Sequence, residues 1–320
     1  MSDVVRMYRQ GEAEVLQLES EDAGAPGPGQ VRLRQEAIGL NYVDTYFRNG
    51  TFPVRPLPAV IGVEAAGTVD AVGPGVTSVS PGERAGYYFA PGAYREVRLI
   101  AESQLIPLPD DIPSDVAASV LAKGLTAWAR VRRVHPVGPG TLAVVTGATG
   151  GVGSLLASWA SDLGAKVIAV AARPEQVATL NARGLGNVAV AGTGGLARLV
   201  AREARPVDIV YDLVGQAVFD DVASVLNEGG RLDLAGSASG EIDASLLRLK
   251  APGVHVTRSS TGDHLAGREV LLGAADEVFG ALRNGVFGMR EVRRYPLADV
   301  VRAHRDVEAR SAGPAPVLIP

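Results

Sequence analysis

Between residues 141 and 260, short apolar runs alternate with stretches in which apolar positions recur at helical spacing. The runs are LAVVT (142–146), KVIAVAA (166–172), VAVA (188–191), DIVYDLVG (208–215), GRLDLAG (230–236) and HVTRSS (255–260). Helical periodicity fills most of the gaps, at 152–163, 174–184, 195–203 and 217–227. Strand and helix alternating in this way predict a doubly wound parallel α/β sheet, the Rossmann arrangement. Six strands in this order fit a full dinucleotide-binding domain.

Residues 1 to about 110 follow another rule. QVRLRQEAI (30–38) alternates like a half-buried strand, and 4–8, 64–72 and 83–88 are further strand candidates. Turn clusters such as GPGVTSVSPGE separate them, which is the composition of a β-barrel-type domain. A helix is expected over 113–133, with Ser114 as its N-cap. Another is expected over 267–285, ending at Gly285, and VLIP (317–320) reads as a terminal strand that joins the first domain. The division expected is 1–122, 123–262 and a return segment, 263–320.

A chain of 320 residues is long for one core, in keeping with two domains. With 47% hydrophobic and 21% charged residues, its composition is that of a soluble globular protein. The net charge of -4, without runs of one sign, argues against nucleic acid or an anionic membrane as partner. No apolar run approaches a membrane span, and the N-terminus carries no signal-peptide core, so a cytoplasmic location is expected. There is no cysteine, which excludes disulfides, thiolate nucleophiles and sulfur-based zinc sites. None of the four histidines stands at i,i+4 spacing to another.

Candidate chemistry begins at VTGATGGVG (145–153), which follows one apolar strand and opens a helix. Ala148-x-Gly150-x-x-Gly153 matches the dinucleotide fingerprint with its first glycine replaced. Gly150, Gly151, Val152 and Gly153 form the expected phosphate turn: Gly150 lets the main chain approach a pyrophosphate, and Gly153 lets the helix pack on the strand. The helix N-terminus then offers N–H groups and the positive end of its dipole. At the end of the next strand, where an NAD site carries an acid for the ribose, stand Ala171 and Ala172, followed by Arg173. An arginine in that place clamps a 2′-phosphate, which favours NADP(H). Glu175 stays open as a partner for a ribose hydroxyl.

NYVDTYFRNGTFP (41–53), LPAVIGVEAAGTV (57–69), AKGLTAW (122–128) and GATGGVGSLLASWASDLGAKVI stand in order along the chain. Together they resemble the zinc-independent quinone oxidoreductases of the medium-chain dehydrogenase/reductase superfamily, and the likeness runs through AHRDVEAR to the terminal VLIP. The resemblance implies a GroES-like catalytic domain beside the Rossmann domain, with an acceptor bound in the cleft between them. Zinc-dependent members carry a cysteine near the start of the first motif and Gly-His-Glu in the second. Here those places hold Asn41 and Gly62-Val63-Glu64, and neither an asparagine amide nor a valine replaces those ligands. Without a Lewis acid, quinones and activated alkenes are easier hydride acceptors than simple ketones, because conjugation spreads the incoming electron pair.

The resemblance places Asn41 and Tyr46 in the cleft beside nicotinamide and acceptor, as catalytic candidates. It places Lys123 and Thr126 facing the cofactor, along with Gly215, Gly236, Ser237 and Arg258 after the later strands. Asp44 reads as a capping residue. Phe52 and Val63 stand where relatives carry hydroxyls, implying a more apolar acceptor pocket. Gln176 and Ala191 replace residues that relatives use around the adenosine phosphate, which increases the weight on Arg173. From the segment near 311–316 only Arg310 carries over. The leading expectation is an NADPH-dependent quinone reductase acting as a homodimer, with GRLDLAG as the edge strand that pairs across the two-fold axis. The alternatives are a reductase of α,β-unsaturated aldehydes or ketones, and a non-catalytic NADPH-sensing or nucleic-acid-binding module.

Overall fold

The computed structural model describes residues 1–250, 252–288, 291–309 and 313–320. The chain forms two units, one of Met1–Ala122, Gly267–Ala275 and Arg290–Pro320, the other of Lys123–Ala266 and Asp276–Met289. The segment 263–320 therefore does not return as one piece: Asp276–Met289 belongs to the second unit.

The chain opens with β1 (Ser2–Met7), β2 (Leu16–Glu21), β3 (Gln30–Gly39), α1 (Tyr42–Asn49), β4 (Glu64–Val72), β5 (Arg84–Tyr87), β6 (Val97–Ala101) and β7 (Leu105–Pro107). Then comes α2 (Ser114–Ala129), whose last turn widens into a π turn over Arg130–Val134. Ser114 is the first residue of α2, not its cap. Its hydroxyl is drawn sideways, donating to Glu36 (2.6 Å) and accepting from Arg84 (3.1 Å), while the Pro113 carbonyl receives the first helical N–H, from Ala117.

Strand and helix then alternate through β8 (Leu142–Val145), α3 (Gly151–Asp162), β9 (Lys166–Ala171), α4 (Gln176–Ala182), β10 (Val188–Val190) and α5 (Gly195–Arg202). The pattern continues with β11 (Ile209–Asp212), α6 (Phe219–Ala223), β12 (Arg231–Leu234), α7 (Ala244–Lys250) and β13 (His255–Thr257). α8 (Arg268–Arg283) begins in the first unit and ends in the second, and β14 (Val292–Pro296), α9 (Val300–Glu308) and β15 (Ala315–Ile319) complete the first.

In the first unit, the alternation of β3 decides the inward face: Val31, Leu33 and Ile38 are fully buried. β3 is the hub. It pairs with β4 along its length, with β6 over Gln30–Arg34, and with β15 at Ile38 and Gly39. VLIP thus joins this sheet, as expected. Irregular register with β4 near Leu33 and Ala37 bends the strand.

In the second unit, LAVV of β8 is buried on both faces, as a central parallel strand must be. Burying each such Val or Leu side chain contributes roughly 1.5–3 kcal/mol. The sheet order β10-β9-β8-β11-β12-β13 is the doubly wound arrangement, with its chain reversal between β8 and β11. One expectation fails here. GRLDLAG is not an edge, because β12 pairs with β11 on one side and β13 on the other. The chain after Gly253 runs back alongside β12, so the edge is the shorter β13, with His255 and Val256 exposed.

Candidate active site

In the second unit the candidate residues gather at the C-terminal ends of the strands. Between β8 and α3, the left-handed residue is Gly147 (φ 58°), not Ala148. The turn therefore takes its strain one position early, and the buried Ala148 methyl is tolerated where the fingerprint has a glycine. Gly150 is the N-cap of α3, and its carbonyl accepts the Ser154 N–H (3.0 Å). The N–H groups of Gly151, Val152 and Gly153 lie ahead of the helical ladder and are available to an anion. A Cβ at Gly153 would lie 2.2 Å from the Gly147 carbonyl oxygen, so only glycine fits. A Cβ at Gly151 would meet Cδ and Cε of the buried Lys123 at 3.1 Å, which puts the lysine stem against the phosphate turn.

Beneath this turn, a buried pair ties the two strands that flank the chain reversal. Thr146 Oγ1 donates to Asp212 Oδ1 (2.6 Å) and accepts the Leu213 N–H (2.9 Å). Asp212 also accepts the N–H groups of Val214 (3.1 Å) and Gly215 (3.0 Å). Burial raises its carboxyl above the usual range even though these donors pull it down. Gly215 (φ 91°) would put a Cβ 2.1 Å from the Gly240 carbonyl oxygen, and Gly236 would put one 2.6 Å from that of Leu213. Both glycines are thus close-approach positions, and Ser237 follows, half-buried.

Deeper still, Asp233 on β12 pairs with Arg130 (2.9 Å), both buried. Burial pushes Asp233 up to about 6, with Arg130 opposing and Asp212 adding. Arg130 also donates to the Ser259 carbonyl (3.0 Å), and Thr126 receives the Thr261 hydroxyl (3.1 Å). These two contacts fix the loop after β13.

Arg173 is exposed at the end of β9 and makes no ion pair among the described residues. Gln176 does not reach outward: its Oε1 accepts the N–H groups of Ala172 (3.0 Å) and Arg173 (3.3 Å) and closes the turn. Arg258 is exposed and paired with Glu241 (3.1 Å), a surface contact. Arg310 lies outside the described residues.

In the first unit, Asn41 caps α1 and forms a reciprocal capping box with Asp44, whose carboxylate accepts the Asn41 N–H (2.8 Å). The Asn41 Nδ2 group donates to Glu64 Oε2 (2.8 Å), and Glu64 Oε1 accepts the Ala122 N–H (2.6 Å). Glu64 is fully buried, and a Cβ at Gly39 would strike it at 2.4 Å. It is the nitrogen end of the Asn41 amide that faces Glu64. One Nδ2 hydrogen is thereby committed, and the second has no acceptor among the described residues. Tyr46, half-buried on α1, packs edge-on against Tyr42 (5.3 Å) and Phe52 (5.2 Å).

The profile of the alcohol dehydrogenase GroES-like domain matches residues 27–110, and that of the zinc-binding dehydrogenases matches 151–277. A quinone oxidoreductase of Pseudomonas aeruginosa is 34% identical, the alignment covering all of both chains. The chain belongs to the quinone oxidoreductase family of the medium-chain dehydrogenase/reductase superfamily. A 2-haloacrylate reductase of a Burkholderia species is 33% identical over 98% of both chains. The crystal structure of the Escherichia coli quinone oxidoreductase complexed with NADPH superposes with a TM-score of 0.93 at 31% identity, covering 99% of this chain and all of that one.

Within this family framework, the sequence singled out the glycine turn after β8 and Asn41 as candidates. It did not single out Glu64 as the partner of Asn41, nor the Thr146–Asp212 and Arg130–Asp233 pairs. A signal existed for Asp212 and Asp233: each is an acid inside an otherwise apolar strand, and such a residue needs a buried partner. Nothing in the sequence said which residue that partner is.

Proposed function

We propose that this quinone oxidoreductase family member takes NADPH as donor and reduces quinones without a metal. The observation that carries the reading is the Asn41–Glu64 pair. In the two places where zinc-dependent relatives hold a metal through sulfur and imidazole, this chain has Asn41 and Val63. The carboxylate beside them is committed to an amide and a backbone N–H. The remaining Asn41 N–H is a fixed donor for an acceptor oxygen that gains negative charge.

The cofactor side rests on Gly153 and Gly147, whose contact leaves the helix N-terminus exposed for the pyrophosphate. Arg173 is the group for a 2′-phosphate, and the stem of Lys123 crosses the same turn. Asn41, Lys123, Thr126, Gly150, Gly151, Val152, Gly153, Arg173, Gly215, Gly236, Ser237 and Arg258 make up the proposed cofactor set. Arg258 is the outlier, because it must leave Glu241 to take part. The E. coli relative, with NADPH in its crystal structure, supports this assignment. When bound, the dinucleotide supplies a hydride from its nicotinamide ring. Asn41 and Tyr46 then orient the acceptor and stabilise the oxyanion that forms.

A second reading, reduction of an activated alkene, is favoured by the kinship with 2-haloacrylate reductase. Anaerobic mixing of enzyme and NADPH with a panel of quinones and enones separates the two. Quinone-dependent NADPH oxidation is expected. Turnover of enones with no quinone activity would move the assignment to the second reading, and tight NADPH binding with no acceptor at all would favour a sensing module. The proposal includes a cytoplasmic homodimer. Its interface uses β13, since a short, exposed, unpaired edge is what a two-fold partner covers. No helix among the described residues is long and apolar enough to cross a membrane.

A further inference from the structure

We propose that Arg48, His304, Tyr94 and Asp44 form a one-way hydrogen-bond chain that positions Asn41 for the reduction of an acceptor carbonyl. This rests on the reading of Asn41 as the donor to that oxygen.

The chain is continuous and buried within the first unit. Arg48 is fully buried on α1, and its guanidinium holds Glu308 through Nη1 (3.0 Å) and Nη2 (2.5 Å). Nη1 also approaches His304 Nδ1 (3.4 Å). His304 Nε2 lies 2.9 Å from the Tyr94 hydroxyl, and that hydroxyl lies 3.2 Å from Asp44 Oδ2. Asp44 Oδ2 accepts the Asn41 backbone N–H, and Asn41 in turn holds Glu64.

Donor and acceptor chemistry permits one direction only. A guanidinium has no acceptor, so Arg48 donates and His304 Nδ1 must carry a lone pair. Burial, reinforced by the Arg48 charge, lowers His304 to about 3, so the ring is neutral and its single hydrogen sits on Nε2. That hydrogen points at the Tyr94 oxygen. Burial and the Asp44 charge raise the Tyr94 hydroxyl well above its ordinary value, so it keeps its proton and gives it to Asp44. Asp44 Oδ2 accepts that hydrogen bond and also accepts the backbone N–H of the residue that caps α1. Each link fixes the next, from the Arg48–Glu308 pair to the Asn41 backbone.

The consequence is positional. The amide of Asn41 is set by two carboxylates, Glu64 on its side chain and Asp44 on its backbone. Asp44 is oriented by Tyr94, and Tyr94 by His304. A loose link leaves Asn41 in place but widens the range over which its N–H points, which lowers the rate of the reduction far more than it weakens dinucleotide binding.

The test is a cycle of variants in the full chain, with NADPH and a quinone. Asn41→Ala is expected to lower kcat about a hundredfold, the loss of one oxyanion donor. Tyr94→Phe, which removes only the hydroxyl, is expected to lower kcat about tenfold and to raise the NADPH Kd by no more than about twofold. The double variant should match Asn41→Ala within about twofold, because Tyr94 acts through Asn41. His304→Gln keeps a donor and an acceptor, and should retain more activity than His304→Leu. An impaired Asn41→Ala with an unimpaired Tyr94→Phe overturns the proposal alone, as does a double variant with multiplied losses. An Asn41→Ala protein as fast as the original removes the reading of Asn41 and the proposal with it. If the Tyr94 variant does not fold, nitrogen NMR of His304 in the unaltered protein decides. A bare Nδ1 and a protonated Nε2 are expected, and the opposite tautomer overturns the chain.

Discussion

Gly153→Ala places one methyl group in the tightest contact of the phosphate turn. The new Cβ would lie 2.2 Å from the Gly147 carbonyl oxygen and 2.8 Å from its carbon. Both are backbone atoms, and Gly147 is already held at a φ of 58°, so neither can swing aside as a side chain would. Ordinary contact starts near 3.4 Å, so the turn and α3 must part by about 1 Å. Overpacking of this kind costs about 1–3 kcal/mol, and each kcal/mol lowers the midpoint of a unit this size by about 2–4 °C. The same displacement carries the helix N–H groups off the pyrophosphate, so NADPH should bind at least tenfold more weakly, about 1.4 kcal/mol. Two controls isolate the cause. At Gly150 a Cβ meets only the Gly147 oxygen, at 3.1 Å, and at Gly151 only the stem of Lys123, at 3.1 Å. Neither should lower the midpoint by more than a degree or two. The assays are calorimetric unfolding and titration with NADPH. A Gly153→Ala protein with the midpoint and NADPH affinity of the original would refute the packing argument, whatever the controls do.

Arg173→Ala should weaken NADPH by tenfold or more while leaving NADH nearly unchanged; equal loss for both cofactors would show that Arg173 does not read the 2′-phosphate. Two buried groups tilt the pH dependence of stability in opposite directions. His304 is lowered to about 3, so the unfolded chain binds its proton first, and stability present above pH 6.5 is lost as pH falls toward 3. Asp233 is raised to about 6, so its contribution is full below pH 3.8 and is lost as pH rises through 6. His304→Gln should therefore flatten the acid limb of the first unit's unfolding, followed by calorimetry between pH 4 and 7, and an unchanged slope would contradict the neutral buried ring. Val256→Lys on β13 should shift sedimentation at micromolar concentration from dimer to monomer; a dimer that persists places the interface elsewhere.

The strands of the second unit were legible because they depend on local pattern, whereas α1, β2 and α9 of the first unit were not read. The six described strands of the second unit fall within the runs read from the sequence, since the central strands are buried on both faces and are therefore largely apolar. The final strand of the first unit was legible from its short apolar run, of which Val317 and Leu318 are fully buried. Edges were not. GRLDLAG and HVTRSS look equally able to finish a sheet, and which is outermost depends on where the chain runs after Gly253. Ser114 was misread because its hydroxyl has the right place in sequence for a cap but a better partner in Glu36, far away in the chain.

The sequence by itself determined where the glycine turn after β8 stands, that Arg173 and not an acid follows β9, and that cysteine and histidine are missing from the two metal-ligand places. Each is a matter of which residue types stand at which spacing. Only the tertiary structure decided what Asn41 is held by. Glu64, Asp44, Tyr94, His304 and Arg48 lie in four separate stretches of the chain, with Asp44 and Arg48 sharing α1, and members in contact stand up to 256 positions apart. Their roles follow from the direction in which each hydrogen bond can run. That direction depends on who faces whom in a buried site, where an acceptor-only carboxylate or a donor-only guanidinium leaves its neighbour no choice.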